Sequence, residues 1–573
     1  MKKLTKFLKP YKKFVILAPL FMILEVVCDL YQPTLLAKLV DEGVIKGNVD
    51  LILKTSILMF FIALIGLVGG ILCTIYASFA SQNFGCDLRE ELFKKIAYSP
   101  IHSLNKLPTS SLITRLTNDV SQLQQLIMML LRIVIRAPLL FFGGLVMAIY
   151  LNPKLSLIFL FLIPATMLIY FKVIRKSFPL FRKVQSKIDE LNRVIIENLS
   201  GIRLVRIFMR KDYEEGRFDR TNNELVETIR QSFFYSLAAG PLFMLILNYG
   251  IVGVLWFGGI LVRSNAMQVG EIIAYINYLM RILRSLLMIA NILTFISRAS
   301  ASAERVNEIL EIKEKEENIK NGNDLKRGDI IFKNVLFSYN GKEVLKDISF
   351  HIKNEETIGI TGTTSSGKST IINLLLKFYS PKKGEILIDG VNIQEIPSNK
   401  IREKISVVFQ NVSLFSGTIK ENILWGNEKV DEKELIKVSE ICRVDEFVRN
   451  FPDGYETFIG ARGVNLSGGQ KQRITIARAV IKKPLILILD GATSAIDILN
   501  EQKILKGIKE YLNGTTFIII SQRISSLIKS DRIFVMDEGK IINQGNHTQL
   551  LKISQFYREM AEIQIGMEEI KNA

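Results

Sequence analysis

ETIGITGTTSSGKSTIINLLLKF, Glu356 to Phe378, is the stretch that decides how the second half of this chain folds. A short apolar run leads into a turn of small residues. The turn opens a segment whose apolar residues recur at helical spacing. Gly362 to Ser369 fits the pattern G-x-x-x-x-G-K-S. Backbone N–H groups in such a turn, at a helix N-terminus, cradle phosphate oxygens. Gly362, Thr363, Thr364, Ser365, Ser366 and Gly367 form the turn, and Thr370 completes the first helical turn. Lys368 is placed to reach the β- and γ-phosphates of ATP, and Ser369 to put its hydroxyl on Mg²⁺. Eight residues alone match by chance; the strand before them and the helix after them make the match specific.

A second element comes about 120 residues later. ILILDGATSAID, Ile486 to Asp497, reads as a buried apolar strand ending in an acid, Asp490, the usual second edge of a nucleotide site. The next residue is Gly491, where a carboxylate able to act on the attacking water would be wanted. An α/β phosphate-loop domain is therefore expected over residues 328–573, with Asp490 and Ser369 as metal-holding groups.

The first half is different. Of the 573 residues 49% are hydrophobic, and the apolar ones are concentrated before about residue 300. Six segments approach the ~20 apolar residues that a helix needs to cross a bilayer. They centre on 14–36, 55–79, 127–150, 154–174, 235–262 and 271–296. The connections alternate between three short ones and two long polar arms, at about 80–126 and 175–234. The sequence thus predicts an all-α membrane domain of six long helices over residues 1–310, then a linker at 311–327. The arm sequence FRKVQSKIDELNRVIIENLSGIRLVRIF continues an amphipathic helical pattern, so the helices are expected to run well beyond the bilayer.

Charge sets the orientation. The net charge of +18 comes largely from a Lys-rich N-terminus, MKKLTKFLKPYKK, and from a basic cluster between Lys172 and Arg230. Both flank apolar runs, which points to membrane topology and away from nucleic acid. The short connections carry few basic residues, among them Lys38, Lys46, Lys154 and Arg263. The N-terminus, both arms and the nucleotide domain are accordingly expected in the cytoplasm of a cell-membrane protein. Cys28, Cys73, Cys86 and Cys442 show neither pairing nor metal spacing and read as ordinary thiols.

Glu25, Asp29, Arg132, Arg136, Arg281 and Arg284 fall inside the apolar segments. Ionisable groups there are costly and should face protein or a wet cavity. They fit a substrate pathway that tolerates polar groups. They fit equally arginines at helix ends, solvated or paired across helices.

LSGGQKQRITIARAV, Leu466 to Val480, resembles the signature motif of ATP-binding cassette (ABC) proteins. With six spans placed first, the chain resembles an ABC exporter half-transporter, most like the degenerate-site subunit of a bacterial heterodimeric multidrug exporter. The resemblance implies that Tyr339 stacks on adenine. It implies that Gln410, in SVVFQNVSLFSGTIKENI, senses Mg²⁺ and the membrane domain. Leu466, Ser467, Gly468, Gly469 and Gln470 would complete the site of a second subunit, and SAID (Ser494–Asp497) would communicate across the dimer. SSLITRLTNDV (Ser110–Val120) and SGIRLVRIFMRKDYEE (Ser200–Glu215) lie where family members place docking helices.

Two departures from the family pattern stand out. Gly491 replaces the catalytic glutamate. Gln522, in TTFIIISQRISS, replaces the histidine that contacts the γ-phosphate. A third, Ala461 in GARG, replaces a common glutamate. Such a site should bind ATP and Mg²⁺ and barely hydrolyse, with turnover left to a different partner subunit. The expected cargo is a small amphipathic or hydrophobic compound. A homodimer with slow turnover, or an ATP-gated channel or sensor on the same scaffold, are the alternatives.

Overall fold

The computed structural model describes residues 2–312 and 325–565, so the expected linker at 311–327 lies largely outside the described residues. The chain divides into two compact units. One comprises Met1–Tyr98 and Leu107–Ile312, the other Ser99–Lys106 and Lys313–Ala573.

The first unit is built from six long helices: α1 (Lys12–Lys38), α2 (Val49–Tyr98), α3 (Val120–Leu151), α4 (Ile158–Ser200), α5 (Lys211–Arg263) and α6 (Val269–Leu310). Six helices long and apolar enough to cross a membrane are found among the described residues, which makes this a multi-pass membrane protein. At about 1.5 Å per residue, the 50 residues of α2 and the 53 of α5 run about 75–80 Å, far beyond the ~30 Å hydrocarbon layer. The long polar arms are therefore continuations of the same helices.

Small residues bring these helices together. Ala18 on α1 and Cys73, Ala77 and Ala80 on α2 are fully buried in one cluster with Met22 and Val26. Lipid supplies no apolar driving force between helices, so close backbone approach of this kind carries the association. Each end of the bundle is fastened by a buried acid. Near the short connections, Asp41 accepts a hydrogen bond from the backbone N–H of Gly270 at 2.6 Å, in the first turn of α6. At the other end Asp119 accepts from Ser302 Oγ and Arg305 Nε, both at 2.8 Å. Arg115 beside it pairs with Glu308 at 2.6 Å.

Ser110–Val120 lies within the first unit. Pro100 and Pro108 each sit just before a short helix, Ile101–Leu104 and Thr109–Thr114, and turn the chain between them. Leu112 and Leu116 pack on an apolar cluster of the first unit.

The second unit begins with β1 (Ile330–Tyr339) and β2 (Lys342–Ile352). Then come β3 (Thr357–Gly362), α7 (Lys368–Leu375), β4 (Lys383–Ile388), β5 (Val391–Asn392) and β6 (Ile405–Val408). The short strands β7 (Gly417–Thr418) and β8 (Phe458–Ile459) pair with each other. Further along come α8 (Gly468–Val480), β9 (Ile486–Asp490), α9 (Ile498–Tyr511), β10 (Thr516–Ile520), β11 (Arg532–Asp537) and β12 (Lys540–Gly545), among shorter helices.

An antiparallel sheet runs β2-β1-β4-β5, and a six-stranded sheet runs β12-β11-β3-β10-β9-β6. In the second sheet β11, β3, β10, β9 and β6 are parallel, and only the edge strand β12 is antiparallel. Every residue of β3, β9 and β10 is buried. That is why TIGITG, ILILD and TFIII are near-continuous apolar runs.

Side chains of a strand alternate between its faces, and two cores result. Ile486 and Ile488 of β9 face one core with Ile371, Ile372 and Leu375 of α7. Leu487 and Leu489 face the other with Ile474, Ile476 and Val480 of α8. The helix after the phosphate loop and the helix after the signature thus lie on opposite faces of one sheet.

Candidate functional site

The parallel strands end side by side, and the candidate site is assembled from the residues just past their carboxyl ends. β3 ends at Gly362, and residues 363–367 turn into α7. Thr363, Thr364, Ser365 and Ser369 are exposed, whereas Ser366, Gly367 and Thr370 are buried under the turn. Ser365 has φ +66°, a left-handed conformation that non-glycine residues adopt at a cost and that clusters at functional turns. Thr363 Oγ1 donates to Asp537 Oδ1 at 2.8 Å, fastening the start of the turn to the end of β11.

The Lys368 ammonium lies within its own turn. It donates to the carbonyl oxygens of Gly362 (3.1 Å) and Thr363 (2.6 Å) and to Ser366 Oγ (3.2 Å). Burial holds its pKa below the ordinary lysine value, partly opposed by the Asp490 carboxylate. Asp490 ends β9, opposite Ile520 of β10. Burial pushes its carboxyl up, against the opposing pull of the Ser369 hydroxyl and the Lys368 charge. Ser369 Oγ donates to Asp490 Oδ2 at 3.0 Å.

Gly491 stands next, its N–H donating to the Ile520 carbonyl at 2.9 Å. Its φ is +59°, a region in which a Cβ crowds the backbone. Gln410, two residues past the end of β6, leans over it. Gln522 stands two residues past β10 and is exposed; its carbonyl accepts from Gln564 Nε2 at 2.9 Å. Tyr339 ends β1 and is tied to α7 through Asn373 Nδ2 at 3.2 Å. Its ring stands edge-on to Tyr379, 5.0 Å between centroids.

The structure therefore brings Gln410, Asp490 and Gly491 to neighbouring strand ends and ties Ser369 to Asp490. It separates the signature from them. Ser467 caps α8, accepting from Gln470 N at 3.3 Å, while the Gln470 side chain accepts from Ser467 N at 2.8 Å, a reciprocal capping box. Leu466 is buried, and Ser467 and Gly468 face solvent. A Cβ on Gly469 would stand 2.9 Å from the Ala495 carbonyl oxygen, so the SAID loop packs directly on the head of α8.

Two residues that the motifs do not single out hold this loop. Gln472 is buried, donating to Ser494 Oγ at 3.0 Å and accepting from Ala495 N at 2.8 Å. Arg523 donates to the carbonyls of Ser494 (2.5 Å) and Ile496 (2.9 Å). The available signal was position alone: Arg523 adjoins Gln522, and Gln472 lies inside QKQR.

The Ser369 hydroxyl and Asp490 carboxylate are hard oxygen donors 3.0 Å apart, a pair that fits Mg²⁺. Among the described residues no cluster of three His, Cys, Asp or Glu offers a richer cage, in keeping with an ion shared with phosphate oxygens.

A phosphate loop on a parallel sheet, fused to six membrane helices, defines a nucleotide-driven membrane transporter. Similarity to known proteins names the group. Residues 15–287 match the family model described as ABC transporter transmembrane region, and residues 345–494 that described as ABC transporter. The uncharacterized ABC transporter ATP-binding protein YfiB of Bacillus subtilis is 40% identical over 570 residues, 99% of each chain. The ATP-dependent lipid A-core flippase of Vibrio parahaemolyticus is 29% identical over 569 residues, 99% of this chain and 98% of that one. The solved structure of a bacterial Atm1-family ABC exporter with ATP bound superposes with a TM-score of 0.79 at 26% identity, covering 96% of this chain and 99% of that one. The chain belongs to the ABC transporter family and has the fold of an ABC exporter, an ATP-binding, ATP-hydrolysing transporter in general terms.

Proposed function

We propose that this chain is the degenerate-site subunit of a heterodimeric ABC exporter of lipophilic compounds, with its nucleotide domain and N-terminus in the cytoplasm. The observation that carries the reading is the pairing of Gly491, at φ +59°, with Gln522 at the two strand ends beside Asp490. Neither residue supplies a general base. Loss of such a group costs about 10²–10⁴-fold in rate.

The binding groups are complete. The turn from Gly362 to Gly367 and the Lys368 ammonium hold the phosphates, Thr370 seats the first turn of α7, and Tyr339 meets the adenine. Ser369, Asp490 and the Gln410 amide would hold Mg²⁺, which when bound neutralises the developing charge on the phosphates. Lys368 must leave its own carbonyls to reach them.

Two chains are needed because α7 and α8 lie on opposite faces of the sheet. A phosphate loop and a signature of one chain cannot face each other, so each site joins two subunits. Leu466 to Gln470 keeps a capped, solvent-facing helix head. It therefore completes the site of a partner that has the missing glutamate. Closure around two ATP draws the cassettes together; hydrolysis at the partner's site resets them, and only differential affinity for the two states drives the change.

The test is ATPase activity of this chain alone and of the pair co-purified with the second half-transporter encoded beside its gene. The chain alone is expected to hydrolyse at least about 10²-fold more slowly than the pair. Changing the partner's catalytic glutamate to glutamine is expected to abolish the activity of the pair. Fast hydrolysis by the chain alone would instead establish a homodimer.

A further inference from the structure

Two of the cavities among the membrane helices, of about 580 and 570 Å³, are lined by charged side chains. The first is lined from α1, α2 and Arg132 of α3, the second from α1, α3 and α6, and Asp29 and Arg132 border both. Six charged side chains line them: Glu25 and Asp29 against Arg132, Arg136, Arg281 and Arg284. Four guanidiniums face two carboxylates, an excess of two positive charges.

Both carboxylates are already engaged. Arg136 pairs with Glu25 and, at 3.1 Å, with Asp29; Arg281 reaches the other oxygen of Asp29 at 3.3 Å. Arg132 and Arg284 have no carboxylate partner among the described residues. Arg132 Nε is buried and makes no hydrogen bond, and Arg284 is exposed into the second cavity. None of these groups lies at a helix end next to the short connections. Arg281 and Arg284 are 12 and 15 residues into α6 from Val269, about 18 and 22 Å along the helix. Arg136 is 15 residues from Leu151, again about 22 Å.

Guanidiniums inside the spans that have no carboxylate partner are costly and mark a functional site by default. Around them the second cavity is lined by Met22, Met280 and Met288, flexible side chains that adapt to varied apolar shapes.

We propose that this cavity binds amphipathic anions. A phosphate, sulfonate or carboxylate head is received by Arg132 and Arg284, and its apolar body lies against the three methionines. Arg136 and Arg281, held by their acids, complete the positive rim. The inference rests on the reading of the chain as an exporter of lipophilic compounds and narrows the cargo by charge. Lipophilic cations are disfavoured.

The experiment uses the full chain co-purified with the second half-transporter encoded beside its gene, in nanodiscs of zwitterionic phosphatidylcholine, without nucleotide. Binding of a dansyl-labelled dodecyl phosphate is compared with that of the trimethylammonium analogue of equal chain length. The phosphate is expected to bind at least about tenfold tighter, the worth of one charge-assisted hydrogen bond. Arg284→Gln is expected to weaken the phosphate probe about tenfold and leave the cation unchanged. Arg284→Lys, which keeps the charge and guards against a folding defect, retains most of the preference. Replacing part of the phosphatidylcholine by phosphatidylglycerol assigns the source of the anion. Competition means that a lipid headgroup occupies the site; its absence means a free amphiphile. Equal affinity for both probes, or an Arg284→Gln variant that binds the phosphate normally, overturns the proposal. Binding needs no hydrolysis, so either result leaves the degenerate-site reading to its own ATPase test.

Discussion

Gln410 occupies the ground that a side chain on residue 491 would need: a Cβ there would begin 3.2 Å from Gln410 Cγ and 3.5 Å from its Cβ. Together with φ +59° this makes glycine at 491 part of the local geometry, beyond the mere loss of a carboxylate.

Gly491→Glu is therefore expected not to restore rapid hydrolysis by itself. A left-handed non-glycine residue costs about 1–2 kcal/mol, and Gln410, one of the groups proposed to hold the metal, must give by a few tenths of an ångström to admit the new Cβ. Phosphate release by the variant chain alone should stay within a few-fold of the parent, with a lowered melting temperature. Turnover rising about 10²-fold would show that the backbone adapts and that the glycine alone disables the site.

Asp490 carries the opposite trade. Burial raises its pKa, so the folded state holds the proton more tightly than the unfolded one, whose value lies near 3.8. Stability from this group is full below that value and falls as pH rises through the folded pKa. At neutral pH the ionised carboxylate is a standing cost. Asp490→Asn removes the charge and keeps an acceptor for Ser369 Oγ. It should raise the melting temperature of the second unit by about 2–4 °C, the equivalent of 1 kcal/mol in a domain of this size. The same change should weaken Mg²⁺-dependent nucleotide binding. Calorimetry and labelled-nucleotide binding on one sample separate the two effects.

The contact between Asp41 and the head of α6 gives a prediction for the membrane unit. A Cβ on Gly270 would stand 2.4 Å from the Ala37 carbonyl oxygen and 2.6 Å from Asp41 Oδ2. Both are packed against the helix start, so neither can move aside freely. Gly270→Ala is expected to cost about 1–3 kcal/mol as overpacking. Asp41→Asn keeps an acceptor for the Gly270 N–H but loses the charge assistance, about 1 kcal/mol. Because the two changes act on one contact, the double variant should cost less than the sum. Thermal unfolding of the detergent-purified chain reads all three.

What the sequence showed and what it withheld divide along physical lines. The spans were legible because a bilayer demands about 20 apolar residues whatever the tertiary packing. β3, β9 and β10 were legible because strands buried on both faces read as apolar runs. The phosphate loop was legible because its chemistry fixes residue types at fixed spacing. The short helices Ile101–Leu104 and Thr109–Thr114 were not, because an amphipathic pattern alone does not say where one helix stops and the next begins. The pairing of the membrane charges was also hidden. Glu25 and Asp29 are more than 100 residues from Arg136 and on another helix, and only packing shows that Arg136 serves both acids while, among the described residues, Arg132 and Arg284 pair with none. The roles of Gln472 and Arg523 were out of reach for the same reason: their partners are groups of a loop on another element.

The end of the described chain carries a pH response that is independent of nucleotide. His547 is buried, its Nδ1 lies 2.8 Å from Tyr557 Oη, and the two rings meet edge-on with centroids 5.7 Å apart. The contact locks the helix His547–Ile553 against the helix Gln555–Ile565. Burial lowers the pKa of the imidazole below its ordinary 6.5, so the neutral ring is the form that fits. The stability it contributes is present above 6.5 and is lost as pH falls from there through the folded value, because protons then bind the unfolded chain more readily. Its share of the pH slope is at most about 1.4 kcal/mol per pH unit. The melting temperature of the second unit should therefore decline between about pH 7 and about pH 5. His547→Gln, which keeps a polar partner for Tyr557 and removes the titration, should be less stable at neutral pH and flatter over the same range. A decline of the same steepness in the variant would move the titrating group elsewhere.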